Sequence, residues 1–114
     1  MSQIRINIML PPNAPRQPAK RVSVEIWDAS LADAPSILLA TKRLHDVALA
    51  PNATVEATLE APAPSVNQVI IARAHVSMDG SGEVKSGDFL TTRFVEVPQH
   101  LGRNILAVPV SLVA

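Results

Sequence analysis

Ile4, Ile6, Ile8 and Leu10 fall on one parity and Arg5, Asn7 and Met9 on the other. A period of two with one apolar face is the mark of a half-buried strand. The pattern returns with Val22, Val24 and Ile26 against Arg21, Ser23, Glu25 and Trp27, and with Val55, Ala57 and Leu59 against Thr54, Glu56, Thr58 and Glu60. It returns once more over Val69 to Met78, where Ile70, Ala72, Ala74 and Val76 oppose Ile71, Arg73, His75 and Ser77. Ile37 to Val47 opens with an unbroken apolar run, Ile37-Leu38-Leu39-Ala40, which fits a strand covered on both faces or a short helix; Pro35 and Pro51 at its bounds favour the strand. Asp79-Gly80-Ser81-Gly82 is the strongest turn signal in the chain and predicts a hairpin whose returning strand runs from Phe89 to Val97. Leu106, Val108, Val110 and Leu112 form the last alternating run; Pro109 within it cannot donate to a neighbour, which predicts an edge strand.

The ten prolines lie almost entirely between these runs, so they punctuate strands rather than interrupt them. Seven to eight short strands, turn signals about every ten residues and no amphipathic helix predict an all-β fold: two antiparallel sheets packed as a β-sandwich. At 114 residues the whole chain, 1–114, is read as one domain. Trp27, Phe89 and Phe94 are the aromatic residues, tyrosine and cysteine are absent, and the core is therefore aliphatic. The cysteine pair and tyrosine corner of immunoglobulin domains are missing.

Ten basic residues balance ten acidic ones, which argues against nucleic acid as a partner. Without cysteine there is no disulfide framework, thiolate metal site or thiol catalysis. His45, His75 and His100 lie in three separate segments with no metal-ligand spacing. Asp79, Ser81, Glu83 and Asp88 give an oxygen-rich loop that misses the calcium-loop pattern. The stretch GSGEVKSG has Val84 where a phosphate loop needs glycine. Glu56 and Glu60 share a strand face, as any solvated face does, and no serine sits in a nucleophile elbow. The expectation is a non-enzymatic protein without cofactor or metal. No run approaches the roughly 18 apolar residues of a membrane span, and the alternation of Met1 to Leu10 is not that of an export signal.

Trp27 stands apart, since parity sends it outward with Arg21, Ser23 and Glu25. It either covers a sheet edge or packs under the Asp28–Ser36 turn, or it anchors a partner; it is the residue the sequence offers for partner binding. Arg16, Lys20, Arg21 and the pair Lys42-Arg43 make at most a modest basic patch, diluted by Asp28, Asp33 and Asp46.

Val22 to Ala40, VSVEIWDASLADAPSILLA, carries Ser30-Leu31-Ala32-Asp33-Ala34-Pro35 between an alternating strand and an aliphatic one. This segment resembles the YbaY-like family of small bacterial envelope lipoproteins, related to the YscW-type pilotins of type III secretion. The LAVPV run at Leu106 to Val110 and the strand entering the Asp-Gly turn agree with it. The resemblance implies a β-sandwich without enzymatic machinery, acting as an envelope-associated binding or chaperone-like module with a protein partner such as an outer-membrane component. A small-ligand or glycan-binding sandwich is the alternative. In the motif, Asp33 is expected to accept backbone N–H groups, Pro35 to fix the exit, and Leu31 to plug an end of the sandwich. The family's acylated cysteine has no counterpart in this sequence; the implied location is the envelope if a signal precedes Met1, and the cytoplasm otherwise.

Overall fold

The computed structural model describes residues 2–30, 33–62, 65–93, 95–99, 101 and 104–114. Nine strands, β1 (Ser2–Met9), β2 (Pro18–Asp28), β3 (Ile37–Ala48), β4 (Thr54–Ala61), β5 (Ile70–Ser77), β6 (Phe89–Leu90), β7 (Val95–Glu96), β8 (Ile105–Pro109) and β9 (Ser111–Leu112), build two sheets. The smaller has the order β4-β1-β8, and the larger β3-β2-β5-β6-β9 with β7 also on β5. The inward parity of each alternating strand meets in one aliphatic core. Ile4, Ile6 and Ile8 of β1, Val55, Ala57 and Leu59 of β4, and Val108 of β8 face Val22, Val24 and Ile26 of β2 and Ile70, Ala72, Ala74 and Val76 of β5. Phe89 is fully buried among them.

The all-β sandwich and the four alternating strands agree with the sequence reading; four details differ. First, β1 and β8 pair in parallel, Arg5 opposite Ile105 through Met9 opposite Pro109, within otherwise antiparallel sheets. Second, β3 is an edge strand and not a doubly covered one: it pairs with β2 alone, and Ile37 is 61% exposed. Its apolar run is offset by a bulge, where Ile26 pairs with Ala40 and Trp27 with Leu38, leaving Leu39 unopposed.

Third, the returning strand of the hairpin is split into β6 and β7. Ala74 N–H is served by the Thr91 hydroxyl at 2.9 Å, and Ala74 C=O accepts from Thr91 N–H at 3.0 Å. One side chain thus stands in for a strand partner, and the ladder breaks there. Fourth, the last alternating run changes sheets at Val110, whose N–H donates to Met9 C=O at 3.2 Å, while Val113 N–H bonds Asp88 C=O at 2.8 Å. The edge position expected around Pro109 holds, since β8 borders the smaller sheet. Pro51-Asn52 forms the turn into β4, with Asn52 at φ 59° and Ala53 N–H on Ala50 C=O at 3.2 Å.

Candidate functional site

With the inner face of the larger sheet committed to the core, the outward parity of β2 leaves Arg21, Ser23, Glu25 and Trp27 on the other side. Register turns that line into a lattice of rows. Leu38, Trp27 and Ile71 form the first, Thr41, Glu25 and Arg73 the second, Arg43, Ser23 and His75 the third, and His45, Arg21 and Ser77 the fourth. Arginines from three strands therefore share one face, although they lie far apart in the chain.

The loop between β5 and β6 folds back over the fourth row. Its anchor is Asp88, 2% exposed, whose Oδ1 accepts Met78 N–H at 3.0 Å and whose Oδ2 accepts Lys85 N–H at 3.0 Å and the His75 Nε2–H at 2.9 Å. A carboxylate that satisfies three donors holds both stems of a loop. At the tip, Asp79 accepts from Lys85 Nζ at 2.7 Å and Ser81 N–H at 3.0 Å. The Lys85 ammonium, then the Ser81 backbone and hydroxyl, hold the Asp79 carboxyl well below the usual carboxylate range, and Asp79 raises Lys85 in return. Gly82, at φ 80°, lies so close over Arg21 that a Cβ there would stand 1.5 Å from the Arg21 Nη2. Arg21 is thereby packed beneath the loop.

Between this loop and β3 lies a groove of about 410 Å³, lined chiefly by Arg21, Glu25, Thr41, Arg43, Arg73 and Thr91. Among the described residues, the ion pairs are His75–Asp88 and Lys85–Asp79, so no carboxylate lies within 4.0 Å of Arg21, Arg43 or Arg73. Arg73 also lines an adjoining depression with Thr91, Thr92 and Arg93. Guanidinium and hydroxyl groups around one carboxylate donate hydrogen bonds and present positive charge.

Trp27 stands beside the groove rather than in its lining, half-buried, with the Arg73 guanidinium carbon 6.0 Å from its ring centroid. Its Nε1 is buried without a hydrogen-bond partner among the described residues. Arg73, which the sequence reading placed only as an outward residue, is the link between Trp27 and the groove. Of the expected basic patch, Arg21 and Arg43 come together here, whereas Lys42 pairs with Val24 on the opposite parity. His45 and His75 sit in neighbouring rows on opposite flanks of β2, and His100 lies outside the described residues. Glu56 and Glu60 are exposed on the smaller sheet, away from this face.

The turn after β2 departs from expectation. Asp28 accepts the backbone N–H of Ser30 at 2.9 Å, and also the Ser30 hydroxyl, while Asp33 accepts no backbone N–H from the described residues. Val69 N–H donates to that hydroxyl at 2.9 Å, tying the turn to β5. Ser30 lowers the Asp28 carboxyl below its ordinary value, first through its hydroxyl and then through its N–H. The difference is positional: Asp28 ends β2 with its side chain reaching two residues ahead, while Asp33 is exposed. The expected plug, Leu31, lies outside the described residues.

No helix among the described residues is long and apolar enough to cross a membrane. No family model matches the chain, and no curated protein does. Among solved structures, an alternative pilotin from the type II secretion system of Vibrio cholerae is similar, with a TM-score of 0.61 and 18% identity over 99% of this chain and 97% of that one. The chain therefore shares its fold, end to end, with a secretion-system pilotin.

Proposed function

We propose that this chain is a non-enzymatic, envelope-associated binding module of pilotin-like type, which holds a segment of a protein partner on the outer face of its larger sheet. The observation that carries the reading is the full-length likeness in fold to a pilotin. The face itself agrees: a half-buried tryptophan beside a guanidinium is the kind of anchor that concentrates binding energy. The YbaY-like resemblance of Val22 to Ala40 supports the same role. The groove's polar lining is the feature that favours a small ligand or glycan, but among the described residues its lining holds no Trp, Tyr or Phe for a sugar ring to stack on, and its one aromatic ring, the His75 imidazole, is engaged by Asp88.

The test is affinity recovery from envelope and cytoplasmic fractions with the domain as bait, followed by titration of the recovered protein against Trp27→Ala. Affinity should fall by more than about 1 kcal/mol while the unfolding midpoint holds nearly constant. Unchanged affinity removes Trp27 from the interface, and recovery of no protein from either fraction counts against the module itself.

A further inference from the structure

The sequence carries no net charge, yet the lattice on the outer face of the larger sheet holds Arg21, Arg43 and Arg73 against the single carboxylate of Glu25. Glu25 is paired in register with Arg73 but forms no ion pair with it within 4.0 Å. Lys85 and His75, which could add to the charge, are engaged by Asp79 and Asp88. Three guanidinium groups with no carboxylate partner on a chain of balanced charge mark a surface built to meet negative charge.

We propose that this groove binds an acidic peptide segment of the partner, with carboxylates seated on Arg43 and Arg73 and a neutral or basic residue between them over Glu25. The proposal rests on the protein-binding reading above and adds the chemistry of the bound segment. Glu25 decides the class of ligand. A nucleic acid strand or a dense phosphate surface brings continuous negative charge and is repelled at the centre of the groove; a peptide spaces its charges and passes over it. The spacing also suits a peptide. Arg43 and Arg73 flank β2 on opposite sides, one row apart. Strand spacing and rise place their backbones on the order of 12 Å apart, about the span of four residues of extended chain. The hydroxyls of Ser23, Thr41 and Thr91 line the same floor as donors and acceptors for a main chain, and Val84 and Leu90 add apolar contact at the loop side. Beyond Arg73, Arg93 continues the basic path.

The experiment is fluorescence anisotropy with a short labelled peptide bearing two glutamates four positions apart and a lysine midway between them, against the same peptide with both glutamates replaced by glutamine. The acidic peptide should bind at least about tenfold more tightly than its amide counterpart, and binding should weaken with salt. Arg43→Gln and Arg73→Gln, both at exposed positions, should each reduce it by about tenfold with an unchanged thermal midpoint. Lys42→Gln, next in sequence but on the other parity, should leave it intact. Equal affinity for the two peptides, or equal losses for Lys42→Gln and Arg43→Gln, overturns the proposal. So does binding of phosphatidylglycerol vesicles that depends on Arg43 and Arg73 when the acidic peptide does not bind. If the peptide fails while a recovered partner still loses affinity on Trp27→Ala, only the acidic-segment inference falls; if both fail, the binding-module reading falls with it.

Discussion

Asp88→Asn keeps the shape of the side chain and removes one acceptor, which makes it a sharp probe of how the loop over the groove is held. The aspartate satisfies three donors with two oxygens. An asparagine oxygen placed at the Oδ2 position keeps Lys85 N–H and His75, but its amide nitrogen then confronts Met78 N–H, donor against donor. A buried N–H left without a partner costs about 1–3 kcal/mol. The two retained bonds lose their charge assistance, and neutral hydrogen bonds have roughly half the strength of charged ones. Together these give a loss of about 2–4 kcal/mol. For 114 residues, an unfolding entropy of about 2.1 cal/mol/K per residue makes each kcal/mol worth roughly 4 °C, so the midpoint should fall by about 8–16 °C. Urea unfolding followed by the fluorescence of the single tryptophan measures it, with thermal melting as a check. A stability change under about 0.5 kcal/mol at constant m-value would refute the reasoning and show that the three bonds do not anchor the loop.

Phe89→Ala, at the one fully buried aromatic position among the described residues, should cost about 3–5 kcal/mol in urea unfolding by leaving a cavity between the sheets. Gly82→Ala and Gly87→Ala both place a side chain at positive φ, 80° and 94°, at a cost of about 1–2 kcal/mol each. At Gly87 nothing lies near the added Cβ, while at Gly82 it displaces the Arg21 guanidinium; Gly82→Ala should therefore be the more damaging, and equal urea midpoints would mean the Arg21 contact adds nothing. Asp79 should titrate below the usual carboxylate range by carbon-detected NMR, and Lys85→Gln should bring it back up. Because its folded pKa is depressed, the stability it contributes is present above the unfolded value of about 3.9 and is lost as pH falls toward the folded one.

Where one face of a strand is buried, alternation alone located it, and β1, β2, β4 and β5 were legible for that reason. β3 was legible as a strand but not as an edge, because an apolar run such as Ile37 to Ala40 reads alike in a covered strand and in one whose bulge at Leu39 shifts parity. The break between β6 and β7 rests on the Thr91 hydroxyl meeting Ala74, a tertiary contact with no periodic signature. Trp27 was placed outward by parity, and the structure agrees on the face. The groove was not legible. Arg21, Arg43 and Arg73 converge only through the register of β3 and β5 on β2, and register across strands from different parts of the chain is set by the packed core rather than by any local motif. Counting outward cations on the alternating strands was the available hint, and it separates Arg43 from Lys42 only once the pairing is known.

The parallel pairing of β1 with β8 joins residues about a hundred positions apart, Arg5 to Ile105 and Met9 to Pro109. During synthesis β1 can find β4 early, but one flank of β1 stays open until the last part of the chain arrives. Closing so long a loop is entropically costly and slow. Until then the unpaired N–H and C=O groups of β1 are open to other strands. The order of events is thus built into the topology: β8 closes the smaller sheet and β9, directly after it in the chain, closes the larger one, so both sheets wait for the same last ten residues.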